Sequence, residues 1–324
     1  MTVPGSAAAA PPTVLVAEFM EADGLAALSA GAAVAYRPAA GEDRGTWLAE
    51  LAAAARGGLA AVVVRNRAQV DAEALRAAGP SLRVVGRLGV GLDNIDAAAC
   101  REAGVAVVSA RGSNADAVCE YVFAAVFHLA RRLGAADAAV RAGGWPRQAF
   151  IGAELAGRTM GIVGFGDIGR RLAVRAEAFG MRVVCCDPYL PAGAPAGVPR
   201  LRLAEVVRTA DILSLHVPLT PETRGMIGTA ELSAMPDGAV LVNAARGGIV
   251  DEDALFGALS AGRLGGAALD VRTHEPPQQP DPLAAAPRLL LTPHIAGWTA
   301  AALRRIGLQV AAGVLAALGP PAPR

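Results

Sequence analysis

The chain has 324 residues, 53% of them apolar, which is more than one hydrophobic core usually serves, so we expect two domains. Its 30 basic and 29 acidic side chains nearly cancel, which argues against a general nucleic-acid surface. Every basic residue other than histidine is an arginine, which excludes Schiff-base chemistry and a P-loop lysine.

The cysteines and the apolar runs indicate where the protein works. The four cysteines lack the spacing of a zinc site, so we interpret them as reduced thiols and predict no bound metal. Apolar stretches are interrupted by charged or turn-forming residues before they reach about 18 residues, so we expect no membrane span. We therefore predict a cytoplasmic protein.

Short apolar runs alternate with alanine-rich helical stretches in the first third of the chain. The runs cover residues 13–17, 60–64, 82–85 and 105–108. This alternation is typical of a parallel sheet with helical crossovers. A long, largely apolar helix follows at 114–133, and two interpretations stay open: it joins domains and packs at a subunit interface, or it is buried inside one domain.

The segment 159–187 has the pattern of a dinucleotide-binding unit. An apolar strand leads into a glycine-rich turn, a helix and a second strand, and the turn consists of Gly164, Phe165, Gly166, Asp167, Ile168 and Gly169. In this spacing the first glycine permits a tight turn, the second admits the pyrophosphate, and the third lets helix and strand touch. Asp187 ends the second strand, where a carboxylate accepts hydrogen bonds from ribose hydroxyls, which favours NAD over NADP.

Later strands, predicted at 211–216, 239–243, 266–270 and 289–292, end in polar residues. In a doubly wound sheet, ligands bind outside the carboxyl ends of the strands. We therefore predict further cofactor contacts at or after these ends, from His216, Pro218, Thr223, Ala244, Ala245, Asp270 and Gly297. A final helix is expected at 299–318.

Hydride exchange with an alcohol requires a group that moves the hydroxyl proton and a positive charge that holds the substrate. His294 follows a strand end and is our candidate acid–base residue, the alternative being a buried, satisfied histidine. Glu275 is the candidate carboxylate that fixes its tautomer. Arg246, in a glycine-rich turn after another strand, is the candidate clamp for the substrate carboxylate and carbonyl oxygen.

These motifs resemble the D-isomer specific 2-hydroxyacid dehydrogenase family, which includes phosphoglycerate dehydrogenases. The similarity extends over residues 14–318 and rests on 86–96, the nucleotide turn, 215–225, 235–252, 269–276 and 291–297. It implies an α/β protein of two Rossmann-like or flavodoxin-like domains, with doubly wound parallel sheets and a cleft between them. Residues 1–110 with 296–324 would form the substrate-binding domain and 111–295 the NAD-binding domain, through which the family usually forms homodimers.

The resemblance also implies roles for individual residues. Arg246 would bind the substrate, Glu275 would support His294, and His294 would move the proton of an NAD-dependent CH–OH oxidoreductase. Backbone N–H groups around Val90 and Gly91 would hold the substrate carboxylate. The chain departs from the family pattern at Ala244, where threonine is frequent, and at Arg272, where an aromatic residue is common.

Three arginines indicate which kind of substrate the protein binds. Arg65, Arg87 and Arg147 occupy positions that resemble those at which phosphoglycerate-type enzymes bind an additional anion, and gathered guanidinium groups need negative charge. We predict a substrate with a second anionic group, such as 3-phosphoglycerate or 3-sulfolactate. Segments 86–96, 115–122 and 145–148 resemble sulfolactate dehydrogenases. Arg65 and Arg147 are alternatively plain surface charges.

Two other functions stay open. One is a hydroxypyruvate or glyoxylate reductase whose substrate has no second anionic group. The other is a non-catalytic NAD-sensing module, similar to corepressors that resemble this family. The complete set of Arg246, Glu275 and His294 favours hydroxyacid chemistry.

Overall fold

The computed structural model describes residues 10–191 and 197–319. The chain divides into two compact units: unit 1 consists of Met1–Asn114 with Trp298–Arg324, and unit 2 of Ala115–Gly297. The outer ends of the first predicted domain, 1–9 and 320–324, lie outside the described residues. Each unit contains a parallel sheet with helical crossovers, which confirms the predicted α/β class.

Unit 1 has the strand order of a flavodoxin-like sheet. Its parallel strands run in the order β2-β1-β3-β4-β5. They are β1 (Thr13–Val16), β2 (Ala33–Tyr36), β3 (Leu59–Val64), β4 (Val84–Arg87) and β5 (Ala106–Ser109). The crossover helices are α1 (Ala22–Ser29), α2 (Arg44–Ala55), α3 (Ala72–Ala78) and α4 (Ala97–Glu102). The edge strand β2 was not predicted, because it has no buried residue and therefore only a weak apolar signal.

The last helix, α11 (Ala300–Leu318), belongs to unit 1. It packs against α1, β4 and β5 and buries Ile306, Val310 and Val314. A Cβ on Gly24 of α1 would lie 2.9 Å from the Cα of Gly307, so glycine lets the two helices approach closely. By length and composition α11 would also be able to cross a membrane, but its buried face makes it a core helix of unit 1.

Unit 2 has the order β11-β10-β9-β8-β6-β7, and its pairs are parallel. The strands are β6 (Thr159–Val163), β7 (Arg182–Cys186), β8 (Ile212–Leu215), β9 (Val240–Asn243), β10 (Gly266–Leu269) and β11 (Leu289–Leu291). The helices are α5 (Ala115–Arg131), α6 (Leu133–Arg141), α7 (Asp167–Ala178), α8 (Leu203–Thr209), α9 (Thr229–Ala234) and α10 (Glu252–Ser260). Two 3₁₀ helices cover Arg147–Phe150 and Pro282–Ala285. The strand order reverses at β6, which is where doubly wound sheets bind dinucleotides.

Helix α5 is the long apolar helix for which two interpretations were open. It packs against α7, β9 and β10 of its own unit, and Val122, Phe123 and Val126 are buried in that core. The structure therefore favours a helix buried within one domain. Cys119 of α5 is a free thiol, and burial raises its pKa to about 11, so it is protonated and unreactive at neutral pH.

Candidate functional site

The turn between β6 and α7 has the shape that a pyrophosphate requires. Gly164 has φ of 91°, and a Cβ there would lie 2.4 Å from the carbonyl oxygen of His216. A Cβ on Gly169 would lie 2.4 Å from the carbonyl oxygen of Gly164, whereas the space beside Gly166 is open. Among the described residues no side chain caps α7, so its first N–H groups are available to phosphate.

Asp187 is tied to this turn. Its Oδ2 accepts a hydrogen bond from the N–H of Phe165 at 2.9 Å, and its Oδ1 accepts one from the N–H of Tyr189 at 3.0 Å. A carboxylate has about four acceptor positions, so both oxygens can still accept from ribose hydroxyls. The carboxylate and the glycine turn together fit the adenosine half of NAD.

His216 lies just after β8 and against Gly164. Its ring is buried, Nε2 lies 2.9 Å from the hydroxyl of Ser214, and within the described chain Nδ1 has no hydrogen-bond partner. Burial lowers the pKa of His216 to about 4, so the ring is neutral at neutral pH. An orphaned, buried nitrogen beside the phosphate turn fits a position that a cofactor contacts.

The other predicted cofactor residues also lie in unit 2, at or after strand ends. The hydroxyl of Thr223 donates to the carbonyl of Pro218 at 2.6 Å and closes the turn after β8. Ala244 and Ala245 directly follow β9, Asp270 follows β10, and Gly297 is the last residue of unit 2. Their contacts with a cofactor stay predictions.

His294 and Glu275 form a hydrogen-bonded pair. Nδ1 of His294 lies 2.7 Å from Oε2 of Glu275, and their side chains are 40% and 34% exposed. Burial raises the pKa of Glu275, but hydrogen bonds from His294 and from the N–H of Arg272 outweigh it, and the net pKa is lowered. An ionised carboxylate can only accept, so Nδ1 carries the hydrogen and Nε2 is left for a substrate hydroxyl.

The loop that carries His294 is held by Asp270. His294 has φ of 57°, a left-handed conformation that costs about 1–2 kcal/mol in a non-glycine residue. Its N–H donates to the carbonyl of Asp270 at 2.8 Å, and the buried Asp270 carboxylate accepts from the N–H groups of Ile295 and Ala296 at 2.8 and 2.7 Å. Asp270 was predicted only as a cofactor residue, and its support of this loop was missed.

Arg246 follows β9, and its turn packs against the 272–275 loop that carries Glu275. Its carbonyl accepts from the Asn243 side chain at 2.9 Å, and its guanidinium donates to the carbonyl of Ala245 at 2.6 Å. A Cβ on the next residue, Gly247, would lie 1.8 Å from the carbonyl oxygen of Arg272, so the Arg246 turn packs against the 272–275 loop. The charge of Arg246 also favours ionised Glu275. The fold thus brings the three predicted catalytic residues to one edge of unit 2.

Arg65 follows β3 in unit 1 and is 6% exposed, which rules out a plain surface charge. Its Nε and NH2 donate to the carbonyl of Phe19 at 3.2 and 3.0 Å. Its guanidinium carbon lies 5.0 Å from the ring centre of Trp298 and 5.9 Å from that of Phe19. Burial lowers the pKa of Arg65, and the charge of Glu18 opposes this.

The remaining predicted substrate residues fall in both units. Arg87 ends β4 in unit 1, and its guanidinium donates to the carbonyl of Leu88 at 2.9 Å. Val90, which is 40% exposed, and Gly91 follow in the same loop. Arg147 begins an exposed 3₁₀ helix in unit 2. Contacts of these residues with a substrate stay predictions.

A family model described as "D-isomer specific 2-hydroxyacid dehydrogenase, NAD binding domain" matches residues 123–296. The (S)-sulfolactate dehydrogenase of Chromohalobacter salexigens is 46% identical over 309 residues, which are 94% of this chain and 98% of that protein. The D-3-phosphoglycerate dehydrogenase of Mycobacterium tuberculosis is 42% identical over 95% of this chain, but the chain spans only 57% of that protein.

Solved structures agree with the fold. A protein from Thermus thermophilus superposes with a TM-score of 0.87 at 34% identity, over 96% of this chain and 98% of that one. A glyoxylate reductase from Paecilomyes thermophila superposes with a TM-score of 0.85 at 30% identity, over 95% and 96% of the two chains. The two parallel sheets are thus shared with known oxidoreductases.

Proposed function

This chain belongs to the D-isomer specific 2-hydroxyacid dehydrogenase family and is an NAD-dependent oxidoreductase, and we propose that its substrate carries a second anionic group, with 3-sulfolactate as the first candidate. Bound NAD would supply the hydride acceptor for oxidation at carbon 2 of the hydroxy acid, and its reduced form the hydride donor for the reverse direction. The glycine turn and Asp187 would hold the cofactor.

The proposed proton transfer uses His294 and Glu275. Nε2 of His294 takes the hydroxyl proton during oxidation and returns it to the carbonyl oxygen during reduction. Glu275 accepts the hydrogen bond from Nδ1, which orients the ring and stabilises the imidazolium that forms. The Arg246 guanidinium binds the substrate carboxylate and polarises the carbon 2 oxygen. Hydrogen thus leaves as a hydride and a proton, and the product is a 2-oxo acid.

The surroundings of Arg65 support the proposal that the substrate carries a second anionic group. It is a buried guanidinium, and among the described residues no carboxylate lies within 4 Å of it. The nearby Glu18 carboxylate instead accepts hydrogen bonds from the backbone N–H groups of residues 65–68. Burying an unpaired charge costs several kcal/mol, which an anionic substituent would offset. The sulfonate in the name of the Chromohalobacter salexigens relative fits this requirement.

A substrate panel tests this proposal. We expect kcat/KM for 3-sulfolactate to exceed that for lactate and glycerate by about 100-fold, the value of one buried charge pair of roughly 3 kcal/mol. Both enantiomers and 3-phosphoglycerate belong in the panel, because phosphoglycerate dehydrogenases also match the chain. Equal kcat/KM for lactate and 3-sulfolactate would show that no second anion is recognised and would favour a glyoxylate or hydroxypyruvate reductase. Turnover that is lost in His294→Gln would exclude a purely NAD-sensing role.

We also propose a cytoplasmic homodimer formed through unit 2. Exposed apolar side chains cluster in the segment 133–151, and α6 within it has no buried residue. They are Leu133 at 55%, Val140 at 49%, Trp145 at 76% and Ile151 at 81% exposure. Aromatic and aliphatic exposure of this kind is typical of a protein contact. The free cysteines fit a reducing compartment.

A further inference from the structure

Arg272, in the loop after β10, forms ion pairs with two carboxylates, those of Glu252 and Asp281. Its NH1 and NH2 donate to the two carboxylate oxygens of Asp281 at 2.6 and 2.9 Å. Its Nε and NH2 donate to Oε2 of Glu252 at 3.3 and 2.9 Å. The Arg272 side chain is only 10% exposed, and those of Asp281 and Glu252 are 6% and 22% exposed. The guanidinium thus ties the 272–275 loop to the start of α10 and to the residue before the second 3₁₀ helix.

The backbone of the same residue reaches the candidate catalytic pair. The N–H of Arg272 donates to Oε1 of Glu275 at 3.0 Å, while Oε2 of Glu275 bonds to Nδ1 of His294. Both carboxylate oxygens of Glu275 are therefore oriented, one by the loop and one by the imidazole. The carbonyl of Arg272 packs against Gly247, next to Arg246.

We propose that Arg272 is a positioning residue: by pairing with Glu252 and Asp281 it holds the 272–275 loop so that its N–H aligns Glu275 with His294. This inference rests on the proposed roles of His294 and Glu275. In this proposal Arg272 acts on proton transfer through Glu275, without contact with the substrate.

The charges that surround Arg272 suit this task. The Asp281 carboxylate foremost, and Glu252 with it, raises the pKa of Arg272 against the effect of burial. Hydrogen bonds from Arg272 in turn help to lower the pKa of Asp281 and of Glu252, so both carboxylates are ionised at neutral pH. The remaining oxygen of Glu252 accepts from the N–H and the hydroxyl of Thr273 at 2.7 and 3.0 Å. A planar guanidinium can bind both carboxylates at once, whereas a lysine ammonium is a point charge on a flexible stem.

A double-mutant cycle tests the proposal with the full-length enzyme and whichever 2-hydroxy acid it oxidises. We expect Arg272→Gln to lower kcat by about tenfold to 100-fold, in the range of misplaced catalytic groups, with the dissociation constant of NADH unchanged. We expect Arg272→Lys to restore part of kcat. In a Glu275→Gln background, Arg272→Gln should have no further effect on kcat, because its action runs through Glu275.

Arg263→Gln is the matched control. Arg263 is also a partly buried arginine of unit 2 that pairs with Asp237 and donates to the carbonyl of Ser233, but it lies before β10, at the amino ends of the strands. We expect the kcat of Arg263→Gln to equal that of the wild type. Thermal unfolding monitors folding of each variant, and if Arg272→Gln does not fold, Glu252→Gln and Asp281→Asn, which each keep one pair, replace it in the cycle.

The outcomes separate this inference from the proposed function. If Glu275→Gln lowers kcat but Arg272→Gln does not, or the two losses multiply in the double variant, Arg272 has no positioning role and the proposed function stands. If Arg263→Gln loses as much kcat as Arg272→Gln, the effect is a general loss of stability and the inference is wrong. A Glu275→Gln enzyme with full kcat contradicts both the proposed pair and the inference.

Discussion

The lowered pKa of Glu275 predicts a pH-dependent contribution to stability. Its pKa is lowered in the folded protein, so its contribution to stability is complete above the ordinary glutamate value of 4.5 and is lost as pH falls through the lower folded-state value. We expect wild type to unfold at a higher temperature than Glu275→Gln at pH 7. This difference should shrink as pH falls below the ordinary glutamate value of 4.5, because the unfolded chain then binds the proton before the folded protein does. Thermal unfolding of both proteins across that range measures it, and a difference that grows on acidification would contradict the sign.

The proposed role of Arg65 is to distinguish substrates by their charge. We expect Arg65→Gln to lower kcat/KM for 3-sulfolactate by about 100-fold, the loss of a buried ion pair of roughly 3 kcal/mol, and to change kcat/KM for lactate much less. Arg67→Gln is the control, because Arg67 lies two residues along and pairs with Glu42 at an exposed position. Steady-state kinetics with both acids give the ratio. An equal loss of kcat/KM for both acids would mean that Arg65 supports the fold of unit 1 and does not bind the second anionic group.

The placement of the candidate site residues was largely predictable from the sequence, but their surroundings were not. His294, Glu275 and Arg246 were chosen because their residue types follow strand ends, and the fold brings them together. His216 also follows a strand end, yet only tertiary structure shows that its ring is buried and that its pKa falls to about 4. The acceptor role of Asp270 was missed for the same reason: the N–H groups it binds lie in a loop more than twenty residues away.

At the scale of elements, we expect kcat to depend on the contact between the loop after β9, at Gly247, and the loop after β10, at Arg272. We expect Gly247→Ala to lower kcat by about 100-fold, because a Cβ would lie 1.8 Å from the Arg272 carbonyl oxygen and displace the loop that holds Glu275. The dissociation constant of NADH should change little. Gly257→Ala is the control: it lies in α10 with open space around a Cβ, where alanine is the better helix former. Equal activity of both variants would show that the two loops need not touch.

Secondary structure followed from the alternation of apolar runs where strands are buried. The central strands β3, β6, β8 and β9 are buried along their length, and the predicted runs match them to within a residue or so. The edge strand β2 and the six-residue helix α9 were not predicted, since a half-exposed or short element carries little apolar periodicity. The order of the strands was not predicted, because pairing partners are distant in sequence; the family resemblance implied only doubly wound sheets.

Over the whole molecule, the predicted cofactor contacts all lie in unit 2, whereas the predicted substrate residues fall in both units, with Arg147 and Arg246 in unit 2. The glycine turn, Asp187 and the His294–Glu275 pair belong to unit 2, whereas Arg65, Val90 and Gly91 belong to unit 1. In each unit they lie at or after the carboxyl ends of parallel strands, where such sheets bind ligands. The binding of ligands at the carboxyl ends of parallel strands thus accounts for the positions of these residues in both units. The residue types account for what they would bind.

The exposed segment 133–151 tests the proposed dimer. We expect Trp145→Ser combined with Ile151→Ser to convert a wild-type dimer to a monomer, because these two side chains are 76% and 81% exposed and large aromatic anchors dominate interface energies. Val174→Ser, on the exposed face of α7 at 67%, is the control and should stay dimeric. Light scattering coupled to size-exclusion chromatography gives the mass of each species. A monomeric wild type at micromolar concentration would contradict the dimer, and a dimeric double variant would place its interface on another surface of unit 2.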